Sequence, residues 1–106
     1  MQQRSRVVAN AEILSDELQV LVDGRRVGFT VREFQLCLLL VERLDRVVRR
    51  DDIYDLIWGG SKPPRDRSVD VLVCRVRTKL EDAAPDWHYI HTHFGIGYRF
   101  APERMR

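Results

Sequence analysis

Between Lys62 and Leu80 the chain sets six basic residues, Lys62, Arg65, Arg67, Arg75, Arg77 and Lys79, against two acidic ones, Asp66 and Asp70. The whole chain of 106 residues carries a net charge of only +2, so the remainder is net acidic and positive charge is concentrated here. Helical periodicity puts Val69, Val73, Val76 and Leu80 on one narrow face, which reads as a core stripe. Ser68, Val71, Arg75 and Thr78 project the other way, with Leu72 and Lys79 on one flank and Asp70 and Arg77 on the other. Cations can neutralise phosphates, and valine or leucine beside arginine can meet thymine methyls, so the mixture suits a helix lying in the major groove of DNA. A solvated basic face on an ordinary amphipathic helix looks the same, and the stretch alone leaves both readings open.

Other chemistries find less support. Asp51 and Asp52 fall in the first turn of a helix, where they complement the positive helix end, and no third ligand stands within metal-motif spacing. His88, His91 and His93 lie along one strand without the cysteine or carboxylate that would complete a tetrahedral set, so they read as strand-surface residues. There is no phosphate-binding glycine loop, no nucleophile with its base in motif spacing, and no cofactor fingerprint; no enzyme, cofactor or metal is expected. Cys37 and Cys74 lack paired spacing and read as reduced structural thiols, with Cys74 partly exposed. No apolar run approaches the roughly 20 residues of a membrane span, and Met1 to Arg6 is not followed by a signal-peptide core, which leads to the expectation of a cytoplasmic protein.

The elements that must position the basic stretch follow from patterning. With 44% apolar and 32% charged residues the chain suits one domain, read as residues 11–101, with 1–10 as a flexible arm or linker stub and 102–106 as a tail. Glu12 to Leu14, Glu17 to Val22 and Arg25 to Phe29 are β-prone, with Asp23-Gly24 as a hairpin turn. Thr30-Val31-Arg32-Glu33 is a capping box that starts a helix running to about Leu44; being apolar nearly all round, this helix belongs to the core and is given no binding role. Asp45-Arg46 turns, and a second helix from Arg50 places Ile53, Leu56 and Ile57 inward. Residues 58–65, rich in Gly and Pro, form an exposed loop, in which Trp58 either anchors the loop to the core or faces a partner protein. After the basic helix, 87–92 alternates as a strand, 93–97 is a glycine-bearing turn, and Tyr98 to Phe100 returns as its partner. The expected class is α+β: a winged helix-turn-helix with an N-terminal antiparallel sheet, three helices and a C-terminal β-hairpin wing. The wing, with its tip at about 93–97, would lie on the backbone or in the minor groove.

With these motifs in place, the chain resembles the effector domain of the OmpR/PhoB family of bacterial response regulators. Thr30 to Leu36 matches the start of the family's first helix and Ile57-Trp58-Gly59 the end of its second. Arg67-Ser68-Val69-Asp70-Val71, Arg75-Val76-Arg77 and Lys79-Leu80 match its recognition helix, and Gly95 to Phe100 its wing. The resemblance covers roughly residues 12–101. It implies sequence-specific binding of double-stranded DNA for transcription regulation, with the recognition helix, about 67–80, in the major groove. Ser68, Val71, Leu72 and Arg75 would face bases or the adjacent backbone, and Arg67, Arg77 and Lys79 would mainly meet phosphates. It further implies that a loop including Gly60, Ser61, Lys62 and Arg65 can contact RNA polymerase, and that two copies bind direct repeats head to tail. In most relatives an N-terminal receiver is phosphorylated on aspartate; none is contained in these residues, and phosphorylation is assigned to none of them.

The chain departs from the family pattern in several places. Arg49 replaces the usual Ser or Thr cap of the second helix, a loss on the order of 1 kcal/mol. Leu72 stands where many relatives carry a polar or histidine side chain. Phe94 stands where arginine is typical, leaving three roles open: packing on the domain, contact with sugars, or a wedge at a base step. His93 beside it can add a pH-dependent phosphate contact. Phe94 and Leu72 also sustain a different class of function, a winged-helix protein-interaction module docking through the 58–65 loop or the Val71/Leu72 face.

Overall fold

The computed structural model describes Arg4 to Gly60, Pro63, and Asp66 to Met105. Four short strands, β1 (Ser5–Val8), β2 (Ala11–Leu14), β3 (Gln19–Val22) and β4 (Arg25–Val27), form an antiparallel meander. The register aligns Ile13 with Val20 and Val20 with Val27, so all three share one buried face; Glu12, Leu21 and Arg26 share the opposite one. Asp23 and Gly24 both take positive φ, 52° and 77°, the backbone that a two-residue hairpin requires. Residues 1–10 are therefore not simply an arm: Ser5–Val8 is the edge strand of this sheet, and Val8 enters the core. Alternating arginines, Arg4 and Arg6, hid the strand by giving it a polar, tail-like composition.

Helix α1 (Val31–Glu42) begins at the expected capping box: Thr30 Oγ1 accepts from the Glu33 amide at 3.2 Å, and Glu33 Oε1 accepts from the Thr30 amide at 2.8 Å. Phe34, Leu36, Cys37, Leu40 and Val41 are buried, each large side chain contributing about 1.5–3 kcal/mol by leaving water. Burial also pushes the Cys37 thiol up to about 12, which keeps it protonated and inert. Beyond a turn at Asp45, whose amide donates to Phe100 O at 2.9 Å, β5 (Val47–Arg49) pairs with the last strand of the chain. Helix α2 (Arg50–Trp58) follows without a break; Arg49 supplies no side-chain cap, and Asp51 and Asp52 occupy the first turn. Ile53 is buried and Ile57 half-buried, but Leu56 is 58% exposed, so the inward face of α2 is narrower than expected.

Helix α3 (Ser68–Ala83) packs on α1, α2 and the hairpin formed by β6 (Trp87–His93) and β7 (Gly97–Arg104). The second sheet has the order β5-β7-β6. Gly97 lies so close to β5 that a Cβ there would stand 1.9 Å from Val48 O; only glycine fits. β7 runs to Arg104, and the Met105 amide donates to Asp86 O at 2.7 Å, so the expected tail at 102–106 is mostly strand. The two sheets meet where the Tyr89 hydroxyl donates to Asn10 Oδ1 at 2.7 Å. Among the described residues, no helix is long and apolar enough to cross a membrane.

Candidate nucleic-acid interface

Helix α3 buries Val69, Leu72, Val73, Val76 and Leu80, a stripe wider than the four residues that helical spacing first suggests. Leu72 is only 6% exposed, which corrects its placement on the base-facing side: adjacent to Val73 and one turn from Val69 and Val76, it completes the core seam. The opposite side carries Arg67, Val71, Cys74, Arg75 and Thr78, all exposed. Val71 is 47% exposed, and the Arg67 side chain is 80% exposed with only a 3.9 Å approach to Asp70. Arg75 makes no hydrogen bond or ion pair with the described residues. Cys74, expected to be partly exposed, shares this face, a place that its spacing from Val71 and Thr78 marks.

The start of α3 is held by Asp66, whose Oδ1 accepts from the Ser68 amide at 2.7 Å and from Ser68 Oγ at 2.6 Å. Ser68 thus sits at the right end of the helix, with its hydroxyl proton already engaged. A groove of 720 Å³ opens here between α3 and the first turn of α1, bounded by Val31, Arg32, Trp58, Arg67, Val71 and Arg75 among others. The Arg32 guanidinium lies 4.8 Å from the Trp58 ring centroid, and Trp58 stacks on Tyr54 at 5.2 Å. Trp58 is half-buried against the core, the first of the two roles expected for it. The first turn of α1, assigned wholly to the core from sequence, contributes Val31 and Arg32 to the same surface.

Two basic residues expected on phosphates serve the domain instead. Lys79 Nζ donates to Glu33 Oε1 at 2.6 Å and to Gly28 O at 2.8 Å, pinning α3 to the capping box of α1. Burial alone would raise the Glu33 carboxyl; the hydrogen bonds from Lys79 and Thr30, with the Lys79 charge, outweigh it and leave its pKa lowered. Arg77 donates to Ile90 O at 3.2 Å and to Thr92 Oγ1 at 2.6 Å, and its guanidinium lies 6.0 Å from the Tyr98 ring centroid. Both corrections have one cause: the partners of these flank residues come from the residue that follows β4, from α1 and from the hairpin, which close against that end of α3.

The wing is fixed to α3 from both strands. Besides Arg77 on β6, Tyr98 of β7 donates its hydroxyl to Asp70 Oδ1 at 2.5 Å, while Arg50 at the head of α2 pairs with Asp70 Oδ2. Burial and then the Asp70 carboxylate push the Tyr98 phenol up to about 12, against the opposing charges of Arg50 and Arg77. At the tip, the Ile96 amide donates to His93 O at 2.9 Å, and Phe94 is 90% exposed, so it does not pack on its own domain. His93 Nε2 accepts from Arg99 Nε at 3.1 Å, and Arg99 also pairs with Asp45 at 2.7 Å. A phosphate contact from that nitrogen would require Arg99 to release it. His88 Nδ1 meets Glu81 at 2.7 Å and His91 Nε2 meets Ala101 O at 2.8 Å. No group of three metal-ligating side chains occurs among the described residues. In the loop expected from the resemblance to contact RNA polymerase, Gly60 is exposed; Ser61, Lys62 and Arg65 lie outside the described residues.

Comparison with known proteins agrees with this geometry. Residues 24–100 match the family model described as transcriptional regulatory protein, C terminal. The cell cycle transcriptional regulator CtrA of Caulobacter vibrioides is 34% identical over 83 residues, and VxrB of Vibrio cholerae is 35% identical over 93. These alignments take in 78% and 88% of this chain but only 36% of either relative, so the chain spans about a third of their length. Among solved structures, the DNA-binding domain of Klebsiella pneumoniae RstA, in complex with the RstA box, superposes with a TM-score of 0.84 at 28% identity, covering 92% of this chain and 97% of that one. The CpxR DNA-binding domain of Escherichia coli gives 0.83 at 26%, covering 92% and 96%. The chain belongs to the family of C-terminal domains of transcriptional regulatory proteins, as an effector domain of the OmpR/PhoB type with the winged helix-turn-helix fold.

Proposed function

We propose that this domain binds double-stranded DNA in a sequence-specific manner to regulate transcription, with the exposed side of α3 in the major groove and the wing alongside. The observation that carries the reading is the division of α3: Arg67, Val71 and Arg75 stay exposed on one side, whereas the cations at its far end are consumed within the domain. Arg75 supplies a fork of donors for a guanine edge and Val71 an apolar contact for a thymine methyl. Arg67, near the positive end of the helix, meets a phosphate. Ser68 adds a hydroxyl acceptor at the same end. Family membership and the RstA domain's complex with its box support the assignment.

Head-to-tail pairing of two copies on direct repeats, and contact of the loop containing Gly60, Ser61, Lys62 and Arg65 with RNA polymerase, belong to the same proposal and rest on family resemblance. A protein-interaction module docking through the Val71/Leu72 face loses support, because Leu72 is in the core; the 58–65 loop, its other docking surface, lies partly outside the described residues. The experiment is a fluorescence-anisotropy titration of duplex DNA at several salt concentrations. Affinity should fall steeply with salt, with a log–log slope near the number of phosphates neutralised. Binding indifferent to salt, or no binding at low salt, would overturn the reading.

A further inference from the structure

We propose that Phe94 is a specificity-determining residue: it enters the minor groove as an apolar wedge at a pyrimidine–purine step flanking the bases read by α3. This inference rests on the DNA-binding reading above. Phe94 is 90% exposed, whereas every other aromatic side chain is buried or half-buried. Ile96, two residues on, is 53% exposed, so the tip of the wing presents two apolar side chains to solvent. Phenylalanine has no donor or acceptor with which to read a base edge. What it can do in a groove is pack between sugars or insert between base pairs.

The tip is also held in place, as a wedge must be. The Ile96 amide closes the turn on His93 O at 2.9 Å, Gly95 takes φ +78°, and the Arg50 amide donates to Ile96 O at 3.3 Å. One residue pair below the tip's closing pair, Thr92 faces Tyr98 in register, and these two residues receive the ties from α3, Arg77 to Thr92 and Tyr98 to Asp70. Phe94 is therefore carried at a set position relative to the exposed side of the reading helix. Exposed Arg49, opposite Gly97 in register, supplies a cation beside the tip of the wing for the phosphates that border the opened step. Pyrimidine–purine steps unstack most easily, so they should be selected there without any hydrogen-bonded readout.

The test begins with duplexes enriched from a random pool by the wild-type chain. An adenine at the flanking step is then replaced by 2-aminopurine, whose fluorescence rises on unstacking. The expected result is a fluorescence rise on binding of wild type, and a preference of about tenfold for TA or CA/TG at that step. Phe94→Ala should retain the motif read by α3 and lose both the step preference and the fluorescence rise, while Phe94→Leu retains part of each. Because the side chain is exposed, both variants should keep the wild-type urea midpoint. Unchanged probe fluorescence with wild type, or a step preference that survives in Phe94→Ala, would overturn the wedge while leaving the motif read by α3 intact. Failure of wild type to enrich any duplex would overturn the DNA-binding reading, and the wedge with it.

Discussion

The two ends of α3 carry similar charge and do different work. At the first end, Arg67 and Arg75 extend into solvent beside Val71; at the second, Arg77 and Lys79 turn back onto Thr92, Ile90, Gly28 and Glu33. The difference lies not in residue type but in what closes against each end. The segment after β4, the capping box of α1 and the hairpin converge on the second half, where the carbonyls of Gly28 and Ile90 and the buried Glu33 carboxylate accept from these cations. A basic patch in a sequence is thus an upper bound on the cations available to a phosphate backbone.

The largest effect is expected where the scaffold shared by both ends is broken. Gly97→Ala drives a Cβ into Val48 O and should cost about 3 kcal/mol or more, read as a lower urea midpoint with DNA binding lost in parallel. Arg75→Ala should instead weaken binding to the preferred duplex by about 1–3 kcal/mol while stability stays within about 0.5 kcal/mol of wild type. Lys79→Met reverses that pattern: with the Glu33 carboxylate left without its ammonium, stability should fall by about 1–2 kcal/mol in urea denaturation. The salt slope of binding should not move in that variant. Arg67→Ala should leave the urea midpoint unchanged and lower the salt slope by about one.

The smallest effect is one of pH. The Tyr98 phenol is raised to about 12 in the folded domain, above its unfolded value near 10. Its contribution is therefore fully present below about pH 10 and is lost as pH rises through about 12. Tyr98→Phe should remove that part of the alkaline destabilisation, so wild type and variant stabilities should converge as pH climbs through this window. Parallel curves would show that neither burial nor the Asp70 carboxylate disfavours ionisation of this phenol in the folded domain.

Local signals were legible in the sequence and distant ones were not. The Thr30–Glu33 capping box and the Asp23-Gly24 turn each close within a few residues, so residue type alone specifies them. The Lys79–Glu33 contact spans 46 positions and has no local mark. β5 is three residues long, too short for alternation, and exists because β7 passes beside it some fifty residues later. The burial of Leu72 was within reach: a core-facing helix needs a stripe broader than a single row, and Val69, Leu72, Val73 and Val76 make one. Phe94, by contrast, left several roles open until the hairpin's geometry showed it standing clear of the domain.

The most direct test of the central claim is selection of bound sequences from a random duplex pool by wild type and by Arg75→Ala. The account predicts an enriched motif for wild type and, in Arg75→Ala, a relaxed preference confined to the position that Arg75 reads, with the rest of the motif unchanged. No enriched motif for wild type, or the same motif at full strength in Arg75→Ala, would contradict the assignment of the exposed side of α3 as the reading surface.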